Sequence, residues 1–121
     1  MINCTFENNK ASSYNGGAVY WYGSNANITG CKFINNSAYD GGAVYLSYYS
    51  STITDCEFTS NSADHEGGAL YTTGSSTIEN SNFKNNNAEY GGAIAVGNSY
   101  AVNVNKCNFN NDVADYGSSI K

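Results

Sequence analysis

Five acidic side chains recur at one place in this chain. Asp40, Asp64, Glu66, Glu89 and Asp115 fall in or near the short segments that run up to a glycine. Carboxylates gathered on one edge can hold calcium or act as acid and base. They can also form nothing more than a solvated edge, which is the expectation here, with weak calcium binding as the alternative. His65, the only histidine, stands in the same kind of segment, without a counterpart in the others, and is expected as a turn residue. Tyrosine is the second signal, with 11 in the chain. Tyr20, Tyr45 and Tyr71 sit at matching positions after the glycines, with Tyr22, Tyr48 and Tyr49 nearby. A row of aromatics could stack on sugar rings or anchor a protein partner; it could equally serve sheet packing alone. Cysteine is the third. Cys4, Cys31, Cys56 and Cys107 have no Cys-x-x-Cys spacing, which argues against a familiar zinc site. They are expected as buried thiols, because parallel in-register side chains meet disulfide geometry poorly. No metal and no cofactor is expected.

What positions these side chains is a repeat. Phenylalanines stand at 6, 33, 58, 83 and 109, at spacings of 27, 25, 25 and 26. Two residues before each comes Cys4, Cys31, Cys56, Ser81 or Cys107. Three after comes Asn9, Asn36, Asn61, Asn86 or Asp112, and five after comes an alanine at 11, 38, 63, 88 or 114. Gly-Gly-Ala and an aliphatic residue follow in the first four copies. The block from the cysteine to the alanine never changes length; the segments on either side of the glycines do. Fixed length is what stacked strands demand, since a one-residue slip turns every inward side chain outward. Apolar residues two apart and short runs cut by Gly, Asn and Ser give strand period. Leucine-rich repeats, propeller blades and hexapeptide left-handed coils do not fit. The expected fold is all-β: one right-handed parallel β-helix of about five rungs, each about 25 residues long and about 4.8 Å from the next.

In that coil the phenylalanines stack inside, and the asparagines form a ladder that Asp112 breaks. The alanines fit tight corners. The glycine pairs supply positive φ or close backbone approach. Val19, Val44, Leu70, Ile94 and Ile120 are expected inward, with Trp21 packed; Tyr20, Tyr45, Tyr71 and Ala95 are expected outward. Ser81 in the cysteine column suggests that size matters there more than sulfur.

The 121 residues make one domain, 1–121, with a net charge of -5 and pI near 4.5. That charge argues against nucleic acid and anionic lipid as partners, and no run is long and apolar enough for a membrane helix. Sequons at Asn3, Asn27 and Asn35 would accept glycans on export. The chain opens and closes in mid-rung. It is therefore expected to be a piece of a longer protein, with open ends that associate end to end.

G-G-A-aliphatic at Gly16–Val19, Gly41–Val44, Gly67–Leu70 and Gly91–Ile94 alternates with F-x-x-N at Phe6–Asn9, Phe33–Asn36, Phe58–Asn61 and Phe83–Asn86. The alternation is similar to the repeats of chlamydial polymorphic outer membrane proteins. It also resembles the adhesin-like surface proteins of methanogenic archaea. The departures, "FNND" and "GSSI", touch only the last rung. The resemblance implies a pectin-lyase-like β-helix in a secreted or surface-anchored adhesin, at the outer membrane or cell wall. Its partner would be a glycan or protein on a host or neighbouring cell. Pectate lyases share this broad fold and hold calcium on acidic residues, but they also need a basic residue. Arginine is absent here, and the lysines at 10, 32, 84, 106 and 121 lie outside the acidic turn. No catalytic residue is expected. A non-catalytic surface module is the reading, with Tyr20, Tyr45, Tyr71, Asp64, Glu66 and Glu89 as candidate contact residues. The alternative is a polysaccharide-active enzyme or carbohydrate-binding β-helix. Near-identical rungs favour the module, because an enzyme would need one rung unlike the rest.

Overall fold

The computed structural model describes residues 1–23, 25–47, 49–97, 101–116 and 119–121. Tyr48 of the tyrosine group and Gly117 and Ser118 of the last glycine motif lie outside the described residues. A representative rung runs through Lys32–Ile34, Ser37–Ala38, Val44–Ser47 and Ser51–Thr54. Each of these strands pairs in parallel with its equivalent one rung away, giving four sheets along one axis. The phenylalanine and alanine sheets have five strands; the sheet that follows the glycines and the threonine-rich sheet after it have four. The coil therefore completes about four turns, slightly short of the five rungs expected from five phenylalanines.

Register follows the repeat. Phe6, Phe33, Phe58, Phe83 and Phe109 are mutual partners down one sheet. Their rings stack at centroid separations of 5.1, 4.8, 4.7 and 5.1 Å. Phe33, Phe58 and Phe83 are completely enclosed with Ile28, Ile53, Ile78, Val44, Leu70 and Ile94. Burying each such ring is worth about 1.5–3 kcal/mol. Phe6, Phe109 and Trp21 are half-buried and pack against this core.

Two polar ladders flank the phenylalanines. Each asparagine side-chain oxygen accepts both the backbone N–H and the amide of its predecessor, as Asn61 Oδ1 does from Asn36 at 2.9 and 3.0 Å. Asn36, Asn61 and Asn86 are buried, so these bonds replace water. The cysteine column works similarly. Cys56 Sγ reaches the carbonyl of Thr54 at 3.3 Å, and Ser81 Oγ that of Glu79 at 2.9 Å. Cys56 N–H in turn donates to Ser81 Oγ at 3.1 Å. Serine substitutes for cysteine because both hydrogen-bond there, not through size alone. All four thiols are free, two of them buried and two half-buried.

The corners explain much of the asparagine. The residue before each cysteine or serine is left-handed: Asn3, Gly30, Asp55, Asn80 and Lys106 have φ of 52, 64, 56, 48 and 53°. So is the residue before each ladder position, Asn8, Asn35, Ser60, Asn85 and Asn111, at 56–60°. Asparagine tolerates this region better than most side chains. The glycine pair divides its two tasks. The first, as at Gly67, has φ of 67°. The second has no room: a Cβ on Gly68 would lie 2.0 Å from the Gly92 carbonyl oxygen.

Two expectations fail at the last rungs. Ile120 bridges Ile94 in the inward column but is 43% exposed, because it lies at the edge of the stack. Ala95, expected outward, is fully buried. It follows Tyr71 in the outer column, and the next residue in that column is Lys121, whose side chain reaches back to Glu66.

Candidate functional site

The turn before the glycines and the strand after them carry two parallel aromatic rows. The strand places Tyr20, Tyr45 and Tyr71 in register. Their rings stack at 5.1 and 5.0 Å, tilted by 6 and 21°. The turn places Tyr39 on His65 at 5.2 Å, His65 edge-on to Tyr90 at 5.5 Å, and Tyr90 on Tyr116 at 5.1 Å. Tyr14 precedes Tyr39 in this row, its carbonyl accepting the Tyr39 N–H. The two rows arise because the first three copies of the repeat carry an aromatic ring on both sides of the same tight glycine turn; after Tyr71 the strand row passes to Ala95 while the turn row continues through Tyr90 and Tyr116. At the first rung, Tyr14 and Tyr20 flank an open cleft of about 400 Å³ with Ser13 and Asn15. Within the rows Tyr45 and Tyr90 have a ring neighbour on each side, so there the ridge offers ring edges and hydroxyls.

A charged group lies between the rows. Asp40 Oδ1 accepts the Glu66 backbone N–H and meets His65 Nδ1, each at 3.0 Å. Glu66 Oε1 pairs with the Lys121 ammonium, which also lies 5.0 Å from the centre of the Tyr90 ring. Burial, reinforced by the Glu66 carboxylate with which it hydrogen-bonds, pushes the Tyr71 hydroxyl up to about 12. The Glu89 carboxylate raises Tyr90 likewise.

Several expectations are corrected. Glu66 is not on a solvated edge: its side chain is 11% exposed, and that of Asp40 15%. The fold brings Lys121 to the acidic turn although the sequence puts it far away. His65 is in the turn as expected, but it also links the carboxylates to the aromatic row. Tyr20 is exposed, whereas Tyr45 and Tyr71 are half-buried. Asp64 is exposed on the other side of the turn, in a depression with Lys10, Ser12 and Ser62. Glu89 is half-buried beside Tyr90. Neither joins the Asp40–His65–Glu66 group. Asp40, His65 and Lys121 were absent from the candidate contact residues. Their available signals were position: Asp40 and Glu66 both immediately precede a glycine pair, and Lys121 follows an aliphatic residue where Tyr20, Tyr45 and Tyr71 do.

Ligand atoms of Asp40, His65 and Glu66 lie within 4.8 Å of one another, a spacing that suits a cation. Each is already engaged, however: Asp40 and His65 with each other, and Glu66 with an ammonium. A metal there would have to displace Lys121. The sequon residues Asn3, Asn27 and Asn35 are all exposed.

Residues 2–120 match the family described as the right handed beta helix region. No curated protein and no solved structure matches the chain. The coil of parallel strands stacked rung on rung agrees with that description, and the chain belongs to the right-handed β-helix family.

Proposed function

We propose that this chain is a non-catalytic binding and display module of an extracellular or cell-surface protein, adhesin-like in its repeat. The observation that carries the reading is the double aromatic ridge, in which Tyr20, Tyr45 and Tyr71 run beside Tyr14, Tyr39 and His65 over three successive rungs. A surface built by repetition suits a partner that is itself extended or repeated, such as a glycan or protein on a host or neighbouring cell. The Tyr14–Tyr20 cleft is the part of the ridge best suited to receive a ring face. Against a lyase-like reading, the two well-buried carboxylates, Asp40 and Glu66, are tied to His65 and Lys121 rather than directed at open space. The net charge of -5 disfavours nucleic acid as a partner.

The test is binding of the whole chain to glycan arrays and to cell surfaces, repeated with Tyr14→Ser and Tyr20→Ser. Both side chains are exposed, so the fold should survive. Binding that falls in these variants supports the reading. Release of unsaturated or reducing ends from polygalacturonate, lost on changing Asp64, Glu66 or Glu89, would replace it with the enzyme.

A further inference from the structure

In the ladder, Asn36, Asn61 and Asn86 each use the amide nitrogen twice. It donates forward to the next side-chain oxygen and back to a phenylalanine carbonyl. The back bonds run to Phe6, Phe33 and Phe58, each at 3.0 Å. Position 112 continues the column with an aspartate. Its Oδ1 behaves as an asparagine oxygen would, accepting the Asn86 backbone N–H at 3.0 Å and the Asn86 amide at 2.8 Å. Its Oδ2 takes the place of the amide nitrogen, where the series calls for a bond to the Phe83 carbonyl. That oxygen is buried and has no hydrogen-bond partner. A carboxylate would set acceptor against acceptor in a dry site, whereas a carboxylic acid brings the missing hydrogen.

We propose that the folded chain holds a proton on Asp112 above the pH at which the unfolded chain releases it, and that this acid donates to the Phe83 carbonyl, so that this position of the ladder is a latch that holds a proton. Asparagine makes this bond at any pH; aspartate makes it only as the acid. The surroundings agree. Burial raises the Asp112 pKa above its ordinary 3.8, outweighing the opposing hydrogen bonds from Asn86 and Asn110. The titratable groups on the neighbouring strands are Lys84, Glu89, Tyr90, Asp115 and Tyr116. None of their charges contributes to the shift.

The folded chain thus keeps a proton that the unfolded chain releases near 3.8. The stabilisation is complete below that pH and is lost as pH rises through the higher folded value.

Two measurements test this on the whole chain. Carboxyl NMR of the unaltered protein should give Asp112 a midpoint above 3.8; a midpoint at or below it overturns the proposal. Unfolding in urea should show the midpoint falling as pH rises through the Asp112 titration. Asp112→Asn should remove that fall and be the more stable protein on the alkaline side. A variant with the same pH dependence, or one less stable there, would mean that the latch does not exist.

Discussion

The same register builds an inner stack of phenylalanines and an outer stack of tyrosines, and the two are nearly alike in geometry. Phe58 and Phe83 stand 4.7 Å apart with parallel rings; Tyr45 and Tyr71 stand 5.0 Å apart, tilted by 21°. What differs is what surrounds them. Phe58 and Phe83 are enclosed on every side, while Tyr45 and Tyr71 are only half-buried. Repetition of a residue type therefore reports only that it stacks. Burial decides whether the stack is core or surface, and a stacked aromatic outside has its faces covered just as one inside does.

The comparison breaks hardest at Phe58→Ala, which should cost about 3–5 kcal/mol in urea unfolding, because the middle ring leaves a cavity no neighbour can fill. Next is Asn61→Ala, at about 1–3 kcal/mol, since it strands the Asn36 N–H and the forward bond of the Asn36 amide, which keeps only its bond to the Phe6 carbonyl. Tyr45→Ala should cost less, about 0.5–1.5 kcal/mol. If the Tyr45 loss equalled that of Phe58, the outer row would be core after all. The smallest effects are titrations. Glu66→Gln should lower the Tyr71 midpoint from about 12, followed by NMR of isotope-labelled tyrosine. Cys56, which burial pushes up to about 11, should resist alkylation in the folded protein and react fully once unfolded.

The sequence makes the inner columns legible because each admits one residue type or a near equivalent of it. Phenylalanine at a fixed interval, asparagine three residues on and the glycine pair gave the coil and its register. The corners were harder to read. Asn3, Gly30, Asp55, Asn80 and Lys106 share a left-handed backbone but little chemistry, and Asn8 or Asn85 is hidden beside a ladder asparagine. The outer site was legible in its tyrosines and only partly in its charges. Glu66 and Lys121 are 55 residues apart, and their pairing depends on Ala95 being small enough to pass over. Alternation of faces alone put Ala95 outside, and it has no way to register a side chain arriving from the next rung.

Every named strand pairs only with its equivalent one rung away, so neighbours in the coil are 24 to 27 residues apart along the chain. Under tension this arrangement is a ratchet of equal links. A pull on one terminus loads the outermost rung while those behind it stay shielded. Each rung that peels off pays out roughly 80–90 Å of chain at ~3.3–3.6 Å per residue. The molecule would lengthen in uniform steps and dissipate work at each one, as a tether that yields by degrees rather than snapping.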